Sequence, residues 1–219
     1  MSEYLKLFET HNEYETYING QDVLLPNVSY CEGQNDVHYN PYVDPYNGHQ
    51  YVDLGLPSGT KWATMNVGAL SETDYGNHYM YGMGSKTYDS TDTPYAGTEN
   101  PLASSADTAA QVWGGSWHMP TRAQMQELTA NTTYQWVTNY KGSGINGGTF
   151  TATNGAVLFL PAAGSWYNGS PLDVGSYGYY WGSSPYSSSA AYNLYFGDGY
   201  KGVGSNIRKY GYSVRPVVG

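Results

Sequence analysis

The sequence predicts an α+β protein, rich in β-strand, with two or three short helices, long loops and a small N-terminal module. Three observations point there. Only 12% of the residues are charged, while 28 are Gly and 16% are aromatic, a composition of strands and turns more than of solvated helices. Apolar residues recur in short runs, alternating or continuous, bounded by Gly, Pro, Asn and Ser. Helix-start signals are few: Thr10 with Glu13, an Asp at 107, and Thr121 with Gln124, each a cap before a short apolar pattern.

Taken in order, Leu7–Gly20 reads as a helix opened by the Thr10/Glu13 capping box and stopped by Gly20. Two short strands, 27–32 and 36–40, follow Pro26 and are joined by the turn-prone 33–35. The Pro/Tyr/Asn/Gly stretch NPYVDPYNG then reads as a linker, which divides the chain into an N-terminal module, 1–47, and a main domain, 48–219. The module serves either attachment or as an added packing layer; the sequence leaves both open.

In the main domain, Gln50–Gly55 and Thr60–Val67 read as strands around the turn Pro57-Ser58-Gly59. A polar stretch from Ser71 to Asp107 holds one short strand near His78–Tyr81. Asp107 caps a short helix through Val112 that ends at Gly114-Gly115. A second helix starts at Thr121, with Gln124 closing its capping box and Met125 and Leu128 facing the core. Trp113, Trp117 and Trp136 are expected to pack around that helix. Asn139–Asn154 is Gly-rich and reads as a hairpin with a mobile tip. Val157–Leu160 is a buried-strand run, and Gly164–Gly178 reads as a loop.

The C-terminal stretch carries Tyr, Ser, Gly and Asn threaded through sparse large apolar residues, Trp181, Leu194, Phe196 and Val214. That mixture is typical of binding surfaces: Tyr offers a large amphipathic contact with two side-chain torsions to order, while Ser, Gly and Asn supply adaptable hydrogen bonds. A period of two places Tyr192, Leu194 and Phe196 on a core face and Asn193 and Tyr195 on the face toward solvent or ligand.

Five segments carry a family resemblance: GHQYVDLGLPSGTKWATMNVGA (48–69), WGGSWHMPTRAQMQEL (113–128), LFLPAAG (158–164), YYWGSSPYSSSAAYNLYF (179–196) and GYSVRPV (211–217). Together they resemble the bacterial and phage major paralogous domain family, a C-type-lectin-fold group related in fold to the formylglycine-generating enzymes. It includes the variable target proteins of diversity-generating retroelements. The resemblance implies a C-type lectin fold in which QYVDLGL lies beside YSVRPV, and a variable region at about 164–212. In such targets, adenine mutagenesis turns Asn codons into codons for residues such as Tyr, Ser, Asp and Gly.

Carried onto this sequence, the resemblance implies variable, ligand-binding positions at Tyr167, Asn168, Tyr177, Tyr179, Tyr186, Ser188 and Ser189. It implies the same for Asn193, Tyr195, Asp198, Tyr200, Ser205, Asn206 and Tyr210. Trp181, Ser183, Leu194, Phe196, Arg208, Ser213, Arg215 and Pro216 fall in the invariant frame.

Other functions are disfavoured on chemical grounds. A net charge of −9 with only 9 Lys plus Arg provides no basic stripe for nucleic acid. No apolar run approaches a membrane helix, and the first residues lack a secretory core. The single Cys31 allows no intrachain disulfide or cysteine metal cluster. The histidines His11, His38, His49, His78 and His118 show no metal or nucleophile–base spacing. Asp89, Asp92 and Glu99 form a polar loop without a calcium signature. The oxidase activity related to this fold needs paired cysteines, and the chain has none.

The expectation is therefore a non-enzymatic binding protein with no cofactor and no metal, working on a virion or in an extracellular or cell-surface setting. Its target would be a bacterial surface protein or glycan, and a homo-oligomer would add avidity. The alternative is a carbohydrate-binding module or adhesin of fixed specificity.

Overall fold

The computed structural model describes residues 46–219. The expected helix Leu7–Gly20, the strands at 27–32 and 36–40, and Cys31 lie outside them.

Apolar alternation and turn chemistry build a β-rich architecture with few helices. Strands β1 (Tyr51–Val52) and β2 (Lys61–Ala63) lead through a long irregular stretch to helices α1 (Thr108–Val112) and α2 (Arg122–Asn131). The meander β3 (Thr132–Val137), β4 (Gly147–Ala152) and β5 (Val157–Pro161) follows, then the hairpin β6 (Ser165–Tyr167) and β7 (Ser170–Leu172). A second meander, β8 (Gly178–Pro185), β9 (Ala190–Gly197) and β10 (Tyr200–Ile207), precedes the last strand β11 (Val217–Val218). The named strand pairs are all antiparallel.

Both helix starts have the local chemistry read from the sequence. The Asp107 carboxylate accepts from Ala110 N at 3.0 Å and also from Met119 N, so one side chain caps α1 and ties down the chain after it. Thr121 and Gln124 exchange hydrogen bonds in a closed capping box. Met125 and Leu128 are the buried residues of α2.

Two apolar clusters hold the domain. One gathers Trp62, Met125, Leu128, Phe150, Leu160, Tyr180, Leu194 and Phe196; the other gathers Val67, Tyr79, Tyr81, Trp113, Trp117, Trp181, Tyr212 and Val214. Phe196 needs glycine beside it. A Cβ on Gly178, its register partner on β8, would lie 2.1 Å from the Phe196 ring. The bare backbone of β8 is thus the floor on which that ring rests.

Four expectations are corrected by long-range packing. The last strand pairs with β2, Val217 against Trp62, and not with the 50–56 segment. The first and last strands still share one sheet, but β2 stands between them because Ala63 N donates to Pro216 O and Val67 N to Val214 O.

Trp113 and Trp117 do not pack around α2; they meet each other edge-on at 5.2 Å in the other cluster. Trp136 alone of the three packs, half-buried, in the cluster that contains Met125 and Leu128. The 139–154 segment is not a hairpin of its own: β4 runs between β3 and β5, and Tyr140 in the connection stacks on Phe159 at 3.8 Å. The 164–178 stretch is not a plain loop but contains the β6–β7 hairpin.

Candidate functional site

The site rests on the register of the second meander. Tyr180, Leu194 and Val203 lie opposite one another on the core-facing side. On the other side Tyr179 opposes Tyr195, which opposes Gly202, and Trp181 opposes Asn193, which opposes Gly204. A Cβ on Gly202 would sit 2.7 Å from the Tyr195 hydroxyl, and one on Gly204 would sit 3.0 Å from its ring. Two strand positions without side chains therefore let the Tyr195 ring lie down on β10.

From that ring a continuous run of tyrosines crosses the face. Tyr195 lies 6.2 Å from Tyr200, Tyr200 lies 6.0 Å from Tyr177, and Tyr177 stacks on Tyr179 at 6.1 Å. Tyr179 stacks on Tyr212 at 5.1 Å, Tyr212 lies 5.5 Å from Tyr210, and Tyr210 stacks on Tyr167 at 4.6 Å. These separations are those at which aromatic rings attract. Exposure within the run spans Tyr200 at 42% to Tyr212 at 1%, with the other rings half-buried. Tyr212 also lies 4.3 Å from the buried Trp181, so the array is rooted in the core.

Polar groups edge the array. Asn206 donates to the Tyr212 hydroxyl at 2.7 Å, and the Tyr179 hydroxyl donates to Asp173 at 3.4 Å. Burial, and then the Asp173 charge, push Tyr179 up to about 12. Tyr200, though 42% exposed, is raised too, by partial desolvation among its neighbouring rings and then by the Tyr177 hydroxyl. Both hydroxyls stay protonated at neutral pH and remain hydrogen-bond donors.

The frame behind the array is buried: Trp181, Ser183, Leu194, Phe196, Arg208, Ser213, Arg215 and Pro216. Arg208 donates to the carbonyls of Ala190, Tyr95, Gly97 and Ser187, with its guanidinium 4.7 Å from the Tyr81 ring. It clamps the β8–β9 connection to the 95–97 loop. Arg215 donates to Asn66 Oδ1 at 2.7 Å and to Ala63 O at 3.0 Å. Full burial lowers its pKa to about 10, which still leaves the group charged at neutral pH.

Tyr167, Tyr177, Tyr179, Tyr195, Tyr200, Asn206 and Tyr210 thus meet on one face. The other candidates separate from it. Asn168, with φ 49°, and Asp198 sit exposed in the β6–β7 and β9–β10 turns. Tyr186, Ser188 and Ser189 form the exposed β8–β9 connection, where Tyr186 meets Tyr192 edge-on at 5.4 Å. Ser205 opposes Tyr192 on the reverse side of the sheet.

Asn193 is a correction. It was expected on the solvent or ligand face but is only 3% exposed, because β9 is the central strand and the outward face at its Trp181 end is itself covered. Tyr212 and Asp173 belong to the face and were not among the candidates. The alternation Tyr210, Tyr212, Val214 carries a signal for Tyr212; nothing local marks Asp173.

The acidic and histidine side chains of the described residues are spread over the domain. Among the described residues, no three His, Cys, Asp or Glu side chains converge to hold a metal ion. Asp92 pairs with Lys86, Asp89 with Thr91, and Glu99 accepts from the Tyr95 hydroxyl. No described helix is long and apolar enough to cross a membrane.

Fold and site together define a β-rich domain with few helices whose C-terminal sheet presents an aromatic face. Over residues 132–217, which contain the whole array, the chain is similar to DUF8237, a domain of unknown function. No curated protein and no solved structure matches the chain.

Proposed function

We propose that the chain is a non-enzymatic ligand-binding protein of C-type lectin fold, with the tyrosine array as its binding face and the array positions diversified at the gene level. Its target is a bacterial surface protein or glycan, met on a virion or outside the cell, and assembly into a homo-oligomer adds avidity. The observation that carries the reading is the unbroken run of rings from Tyr195 to Tyr167.

Ordering a side chain on binding costs roughly 0.5–1.5 kcal/mol. Rings already resting on one another and on Gly202 have lost part of that freedom before a ligand arrives. The fold assignment draws support from the first and last strands sharing one sheet, although β2 stands between them, and from the burial of the residues that the resemblance puts in the frame.

Deep sequencing of the gene's 3′ end in its source population, with the flanking DNA, tests the reading. The expected result is adenine-limited substitution at Tyr167, Tyr177, Tyr179, Tyr195, Tyr200 and Tyr210 with Trp181, Phe196, Arg208 and Arg215 unchanged. An invariant 3′ end with no template copy nearby would replace it by a carbohydrate-binding module of fixed specificity.

A further inference from the structure

A cleft of about 670 Å³ opens between the 75–90 segment and the β6–β7 hairpin. It lies behind the array: Tyr167 stacks on Tyr210, while its neighbour Trp166 points the other way, toward Tyr88 at 6.2 Å and His78 at 6.5 Å. The volume falls within the range of ligand pockets, roughly 300–1,000 Å³, and such sites combine apolar walls with a few placed polar groups. Here the walls include Trp166, Tyr88 and Tyr75, and the polar groups include Asn77, His78 and Asp89.

The chemistry of the lining narrows the ligand. No Lys or Arg lines the cleft, so nothing selects an anion. Trp166 and Tyr88 pack against each other; they form a wall and leave no gap between them for a caged ammonium group.

Asp89 Oδ1 accepts from Thr91 N and Oγ1, bonds that hold its pKa below the usual carboxylate range and leave Oδ2 to accept from a ligand. His78 Nε2 lies 3.1 Å from Ala163 O. A carbonyl only accepts, so Nε2 carries the proton and Nδ1 is an acceptor; burial lowers the pKa and keeps the ring neutral. An aromatic wall beside hydroxyl acceptors and an amide suits a neutral ring with one C–H face and a rim of hydroxyls.

We propose that this cleft is a binding site for a neutral saccharide, separate from the tyrosine array, with Trp166 as stacking platform and Asp89 as hydroxyl acceptor. The site does not depend on diversification of the array and stands or falls apart from it.

The test uses the full chain with methyl glycosides of glucose, galactose, mannose and N-acetylglucosamine, and with cellobiose and lactose. Binding is read by tryptophan fluorescence and saturation-transfer NMR. At least one sugar is expected to bind saturably. Trp166→Ala should abolish that binding, Asp89→Asn should weaken it about tenfold or more, as for a lost hydrogen bond to a charged group, and Tyr195→Ala with Tyr200→Ala should leave it unchanged.

Absence of saturable binding across the panel overturns the proposal, as does binding lost in the Tyr195/Tyr200 variant. If Trp166→Ala fails to fold by near-UV circular dichroism, the exposed Asp89→Asn decides alone: unchanged affinity overturns the site.

Discussion

Arg208→Lys is the substitution that best probes how the binding face is held. Arg208 is 1% exposed and gives its guanidinium donors to four backbone carbonyls in two separate segments, Ser187/Ala190 and Tyr95/Gly97. A lysine keeps the charge, but its single nitrogen cannot span both segments. At least one pair of part-buried carbonyls is then left without a charged donor, each such hydrogen bond being worth about 1.5–3 kcal/mol.

Because the bonds share one group and do not add in full, the expected loss is about 3–5 kcal/mol. For a domain of this size each kcal/mol lowers Tm by about 2–4 °C, so Tm should fall by on the order of 10 °C. Thermal unfolding followed by near-UV circular dichroism measures this. Hydrogen exchange should accelerate at 95–97 and 187–190 before the rest of the domain. A variant melting within about 2 °C of the parent, with unchanged exchange in those segments, would refute the clamp.

Further outcomes follow from the same packing. Gly178→Ala places a methyl group 2.1 Å from the buried Phe196 ring and should lower stability by about 1–3 kcal/mol or more, read as a shifted denaturation midpoint. Gly202→Ala meets only the half-exposed end of Tyr195; the midpoint should move by less than about 0.5 kcal/mol, while ligand binding weakens as the ring is lifted. Thr121→Ala opens the α2 capping box and should cost about 1 kcal/mol.

Tyr179 and Tyr180 are each raised from 10.0 to about 12, burial being the first cause in each. An acid raised on folding contributes stability that is fully present below its unfolded pKa and lost as pH rises through the folded value. Absorbance at 295 nm should therefore show a late tyrosine class, with stability flat to about pH 10 and falling toward pH 12. Full ionisation of every tyrosine by pH 11 with the fold intact would contradict the packed array.

How far the sequence could be read depended on how far apart the partners stand. Asp107 and the Thr121/Gln124 box were legible because the groups that meet are three residues apart and their geometry is set by one turn of backbone. Leu194 and Phe196 were legible as core because alternation along a single strand is also local. Asn193 was misread because alternation alone supposes that one face of a strand meets water; at the Trp181 end of β9 both faces are covered.

Composition and motif order by themselves determined a β-rich chain, its two capped helices, its apolar core positions and a tyrosine-rich tail. Only the tertiary structure decided which tyrosines touch. It brought Tyr167, Tyr177, Tyr179, Tyr195, Tyr200, Tyr210 and Tyr212 into one run, sent Tyr186 and Ser205 elsewhere, and set β2 between the first and last strands. The physical reason is register: which residues share a face follows from pairings such as Tyr179–Tyr195–Gly202. Those pairings are chosen by burial of side chains from the whole domain, and a shift of one residue would turn every ring to the other side.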